Sequence, residues 1–230
     1  MAFTYFFRDR QTLDLIAEHV LPGLTGRRYI DIWDAGCAHG PEPFSLAMQL
    51  RENMTHFLFR NVRIWATDID EGGDFGATIR RGVYPATEVA RIPAEIRRRY
   101  FRGGLADGAL EIDEEIRGCL RFLRHDLLTL RPPRTGFSLI VCKNVLLHFN
   151  ESERAAVVRM FHAALCEDGH LVTEATQRLP SAVEHLFEPL TTQGRVLRRQ
   201  SVTERRRGVD RIGCQDDEAW LSNNANSGHG

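Results

Sequence analysis

Apolar positions recur along this 230-residue chain with two periods, one helical and one of unbroken strand-like runs, and their alternation predicts an α/β domain. Leu13, Ile16, Ala17 and Val20 share one face of a helix over residues 12–20, closed by Pro22 and Gly23. A run rich in β-formers (Tyr29, Ile30, Ile32, Trp33) then leads through Gly36 and Gly40 to Pro43 and a helical pattern, with Phe44, Ala47 and Met48 on one side, lasting to about residue 54. Residues 62–67 (VRIWAT) form a second apolar strand that ends on Asp68 and Asp70, completing a βαβ unit. Residues 75–100 look helical, with interruptions at Gly82, Tyr84-Pro85 and Pro93. Between residues 101 and 123 short strand-like stretches flanked by glycines predict a small β excursion inserted into the sheet domain.

The alternation then resumes. Residues 137–142 (FSLIVC) have the unbroken apolar character of a buried parallel strand. A helix over 152–165 starts at Asn150 or Ser152, carries Ala156, Val157, Met160, Phe161 and Ala164 at helical spacing, and ends near Gly169. Residues 170–173 read as another strand. The main domain is expected over residues 1–200. Residues 201–230 pass from a basic run to an acidic run to NNANSGHG with little to bury, so a disordered tail is expected there.

Composition narrows the functional classes. With 30 basic and 31 acidic residues there is no overall basic excess to suggest a nucleic-acid or membrane-surface partner. No apolar run is long enough to span a membrane and the start lacks a cleavage pattern, so a cytoplasmic protein without membrane insertion is expected. Five widely spaced cysteines without a CxxC pair indicate neither a disulfide framework nor a zinc site, and reduced thiols with no metal are the economical reading.

The candidate chemistry gathers around the glycine turn. Strand, glycine loop and helix start together make a cradle for a nucleoside-bearing cofactor, because glycines allow close approach and free helix N–H groups favour oxygen. The spacing of Gly36 and Gly40 is neither the dinucleotide fingerprint nor a P-loop. Asp68, at a strand end, could bond ribose hydroxyls or cap a helix, with Asp70 the better cap. Glu42, in the first turn after the loop, could meet the cofactor or complement the helix dipole. Lys143, Asn144 and His148 follow a strand at the edge where such sheets bind ligands, and Asp126 ends another stretch. Each also has a structural explanation. The aromatic N-terminal segment around Thr4, Arg8 and Asp9 reads as core or as a lid.

In chain order these pieces resemble the CheR family, the S-adenosyl-L-methionine-dependent methyltransferases that esterify glutamate side chains of chemotaxis receptors. The matching motifs are TYFFRD (residues 4–9), AGCAHGPEPFSLAM (35–48) against A-G-C-S-T-G-E-E-P-Y-S-L-A-M, ATDID (66–70), GVY (82–84), HDLL (125–128) and CKNVLLHF (142–149) against C-R-N-V-L-I-Y-F. The resemblance implies a Rossmann-like methyltransferase fold with the 101–123 segment as its small β subdomain. It places Thr4, Arg8, Glu42, Asp68, Asp126, Leu127, Lys143 and Asn144 at the cofactor positions beside the loop of Gly36 and Gly40, and Arg8 and His148 at the catalytic ones. With the FFRD motif at the start of the sequence, the resemblance implies a chain without the family's helical N-terminal domain, and this is the expectation. The sequence also departs at His39, Pro41, Lys143, at His148 in place of Tyr, and at Thr176-Gln177. An imidazole can accept a proton that a glutamate acceptor does not carry, so His148 opens the alternative of a small-molecule acceptor such as a phenol, hydroxyl or amine. A catalytically silent S-adenosyl-L-methionine-binding module is the third reading.

Overall fold

The computed structural model describes residues 4–103, 108–174, 178–192 and 196–201. Residues 1–199 make one compact unit; of the second, 200–230, only Gln200 and Ser201 are described, so the expected disordered tail lies outside the described residues.

Asp9 starts helix α1 (Arg10–His19) by accepting the Thr12 N–H, and α1 buries Leu13 and Ile16. Strand β1 (Ile30–Ala35) is buried at all six positions. Helix α2 (Pro41–Asn53) begins on Gly40. A short helix α3 (His56–Phe59) leads to β2 (Val62–Asp68), then α4 (Phe75–Arg81). Next come β3 (Val83–Tyr84), α5 (Ala86–Val89), α6 (Ala94–Tyr100), β4 (Phe101–Arg102), β5 (Leu110–Ile112), α7 (Glu114–Gly118) and β6 (Leu120–Arg124). The last part holds β7 (Phe137–Val141), α8 (Glu151–Ala164), β8 (Leu165–Val172), α9 (Ser181–Glu184), β9 (Phe187–Pro189) and β10 (Val196–Arg199).

The main sheet has seven strands in the order β6-β2-β1-β7-β8-β10-β9. Strands β6 to β8 are parallel, and β10 pairs antiparallel with both β8 and β9. The chain winds outward from β1 in both directions, so the order reverses between β1 and β7. That switch point, at the carboxyl ends of the strands, is where open α/β sheets form a crevice. One apolar cluster joins α1, α2 and the small sheet to one face; the other joins α8 to the opposite face around Trp33, Phe137 and Phe161. Helix α8 opens with a full capping box between Asn150 and Glu153, as the sequence predicts.

Three expectations need correction. Residues 120–123 do not belong to the small subdomain: β6 pairs in parallel with β2, with Ile64 opposite Leu120, at the edge of the main sheet. Its outward side chains, Arg121 and Leu123, are exposed, which hides the strand behind an alternating pattern. The small antiparallel sheet, order β3-β5-β4, instead recruits Val83–Tyr84 from the region expected to be helical. Two residues before a proline carry no readable period. Finally, β8 begins at Leu165, before the Gly169 expected to end the preceding helix, while β9 and β10 have no counterpart in the sequence reading. Among the described residues no helix is long and apolar enough to cross a membrane, no cluster could hold a metal ion, and Cys37, Cys119, Cys142 and Cys166 are free thiols.

Candidate cofactor and acceptor site

The turn after β1 is shaped by backbone geometry that only small residues tolerate. Gly36 has φ +103°, and a Cβ there would lie 2.1 Å from Val145 Cγ2. The Gly36 and Cys37 N–H groups both donate to the Thr67 carbonyl, at 2.8 and 3.0 Å, fastening the loop to the end of β2. The Ala38 N–H donates to Asp68 Oδ2 at 2.9 Å, so the carboxylate at the end of β2 is tied to the loop. Asp70 does cap the next helix, its two oxygens accepting the Phe75 and Gly76 N–H groups.

These elements surround a cavity of about 570 Å³ at the carboxyl ends of β1, β2, β6 and β7, within the range of small-molecule and cofactor sites. Gly36, Glu42 and Asp68 line one wall. Asp126, Leu127, Lys143 and Asn144 line another, and Thr4, Arg8 and His148 also reach it. Ten of the eleven residues singled out from the sequence therefore meet in one space. Gly40 is not among its lining residues. It starts α2 at φ +108°, with Tyr84 Oη 2.6 Å and Ile79 Cγ1 2.8 Å from where its Cβ would be, so close packing against the small sheet requires glycine there.

The site carries paired charges. Lys143 Nζ lies 3.1 Å from Glu42 and 3.5 Å from Asp9. Behind them Asp34, missed by the sequence reading, is wholly buried, and neither of its oxygens has a hydrogen-bond partner among the described residues. Burial pushes its carboxyl well above the usual range, the Glu42 charge adds to this, and Lys143 opposes it. Burial also raises Glu42, against the pull of Lys143. The available signal was a pair of carboxylates, Asp31 and Asp34, within one buried strand; Asp31 pairs with Arg134 and accepts from the Trp65 indole, and Asp34 is the one left without a hydrogen-bond partner among the described residues. Arg8 and His148 are exposed at the cavity, with His148 ending the turn Leu146–His148. The exposed apolar side chains of Ile69, Leu128 and Leu147 also border it.

A nucleoside-bearing amino acid fits this donor set. A carboxylate at the end of β2 suits ribose hydroxyls, Ile69 and Leu127 offer flat apolar contact to a base, and the acidic group of Glu42 with the orphaned Asp34 suits a cationic end.

Comparison with known proteins identifies the family. Residues 2–196 match the family described as CheR methyltransferase, SAM binding domain. The chain is 32% identical over 177 residues to the chemotaxis protein methyltransferase of Borreliella burgdorferi, covering 74% of this chain and 62% of that protein. It is 29% identical over 179 residues to that of Vibrio parahaemolyticus, covering 76% and 64% respectively. The chain thus spans a little under two thirds of the length of these relatives. Among solved structures it is similar to a TehB-like SAM-dependent methyltransferase from Corynebacterium glutamicum, at 18% identity over 80% of this chain and 85% of that one, with a TM-score of 0.44. With residues 2–196 matched, the chain belongs to the CheR methyltransferase family, through that family's SAM-binding domain.

Proposed function

We propose that this chain transfers the methyl group of S-adenosyl-L-methionine to a carboxylate oxygen of a protein glutamate side chain. The observation that carries this reading is the convergence of four parallel strand ends on one cavity, lined by the residues that the family resemblance places at the cofactor. When bound, the sulfonium donor supplies an electrophilic methyl group. The chain's own work is to bind, orient and exclude water. Asp68, held by the Ala38 N–H, accepts the ribose hydroxyls, and Asp126 accepts from the base. Glu42 receives the ammonium group, with Lys143 beside it holding the carboxylate end. Arg8, exposed at the cavity, orients the acceptor carboxylate through a two-pronged contact. An ionised carboxylate needs no base, so the acceptor's approach geometry is what these residues control.

A second reading rests on His148. Its imidazole lines the same cavity and is exposed, placed to take a proton from a phenol, hydroxyl or amine of a small molecule. One experiment separates the readings. The full chain is incubated with methyl-labelled S-adenosyl-L-methionine and either receptor-containing membranes or a metabolite pool. Label that enters protein and is released by mild base as methanol supports the glutamyl ester. Base-stable label in a small molecule, lost in His148→Phe, supports the second reading. Binding of S-adenosyl-L-homocysteine without transfer to either leaves the silent module.

A further inference from the structure

The segment leaving β7 is held by a side chain to which the cofactor reading gives no role. Asn144 has φ +58°, a left-handed conformation that few non-glycine residues adopt, although asparagine enters it more readily than most. Its backbone N–H donates to Glu174 Oε2. Glu174 lies two residues past the end of β8 and is buried, with 8% of its surface exposed. The ladder between β7 and β8 runs as far as the Cys142 N–H, which donates to the Val172 carbonyl at 2.9 Å. Beyond that point a side chain replaces the strand as acceptor, and the backbone can turn left-handed while its N–H stays paired.

The turn has consequences on both sides. Just before it stands Lys143, on Glu42 and Asp9. Just after it stands Val145, whose Cγ2 occupies the space that a side chain on Gly36 would need. Lys143, Asn144 and Val145 all line the cavity. Fixing one amide therefore fixes how the segment after β7 meets the glycine loop.

We infer that Glu174 is a positioning residue of the cofactor site: by accepting the Asn144 N–H it holds the left-handed turn that sets Lys143, Asn144 and Val145 against the loop of Gly36. The functional half of this inference rests on the cavity being the cofactor site.

The test uses the full chain with Glu174→Ala, Glu174→Gln and Glu174→Asp, and two readouts. The first is hydrogen exchange at the Asn144 amide, which needs no ligand. The second is calorimetric binding of S-adenosyl-L-homocysteine. Loss of a hydrogen bond from this part-buried N–H to a charged acceptor corresponds to about tenfold. Glu174→Ala is expected to speed Asn144 exchange and weaken binding by about that factor, with exchange in β1 and β2 unchanged. Glu174→Gln keeps an acceptor oxygen at the same reach and stays within about threefold of wild type, whereas Glu174→Asp, one methylene shorter, follows Ala. The Asp variant carries the comparison if Glu174→Ala does not fold. Unchanged Asn144 exchange in the Ala and Asp variants overturns the inference. So does an equal loss in Gln and Ala, which would mean that charge rather than the acceptor matters. If wild type ignores S-adenosyl-L-homocysteine, the cofactor reading fails and the exchange experiment still decides whether Glu174 holds the turn.

Discussion

Asp34 shows how a single residue can work against the fold that contains it. Its carboxyl has no exposed surface and no partner among the described residues, and burial with the neighbouring Glu42 charge raises its pKa. The folded state therefore holds this proton more tightly than the unfolded chain does. The associated stability is fully present below an ordinary aspartate pKa of about 3.9 and is lost as pH rises through the raised value. Glu42 shifts in the same direction and adds to the trend. Denaturant unfolding of the ligand-free chain is thus expected to show stability declining from about pH 4 upward. Asp34→Asn should flatten part of that slope and be the more stable protein at pH 8, by roughly 1–3 kcal/mol. Identical slopes in the two proteins would exonerate Asp34. The sequence shows Asp31 and Asp34 alike within one strand, and which of them lacks a partner depends on the fold, because Arg134 and Trp65 reach Asp31 while Glu42, Asp68 and Lys143 act on Asp34 only once distant segments meet.

Among the elements, the glycine turn between β1 and α2 separates backbone cost from packing cost. Gly136, in the turn before β7, also has positive φ (+82°), but its Cβ would meet nothing within 4 Å. Gly136→Ala should lose only the left-handed penalty, about 1–2 kcal/mol, and bind S-adenosyl-L-homocysteine as wild type does. Gly36→Ala meets the same penalty and also drives a methyl group into Val145, so it should abolish measurable binding as well as lower the unfolding free energy. Calorimetry on the two variants checks this, and equal affinities would show that Val145 yields to the extra methyl. Elements of this kind were legible where they carry their own signals. Strand β1 is an apolar run closed by glycine, and α8 has an asparagine cap, a glutamate three residues on and a helical apolar stripe. Strands β3, β9 and β10 were not legible, because two to four residues give no usable period and their pairing partners supply the missing stability.

For the molecule as a whole, the sheet order makes the site. Parallel strands diverging from β1 leave a crevice between β1 and β7, and the cavity residues come from segments as distant as Thr4 and Phe149. A ligand bridging them should stabilise the folded state globally. At a hundred times its dissociation constant, S-adenosyl-L-homocysteine is expected to add about 2.7 kcal/mol, a rise of roughly 5–10 °C in melting temperature for a domain of this size. A scanning fluorimetry shift in the Gly136→Ala variant but not in Gly36→Ala would tie that stabilisation to the loop. The α/β alternation, the glycine turn, the helix caps and, through the ordered motifs, the family were all legible in the chain before any fold was known. These are local: each is written in a few neighbouring side chains whose propensity or chemistry needs no distant partner. Packing set the rest: β6 joins the main sheet, Gly40 packs on Tyr84 and does not line the cavity, Asp34 is buried without a partner among the described residues, and Glu174 meets the Asn144 N–H. Those facts depend on which strand lies beside which, and burial, pairing and the lack of a partner exist only once distant segments have been brought together.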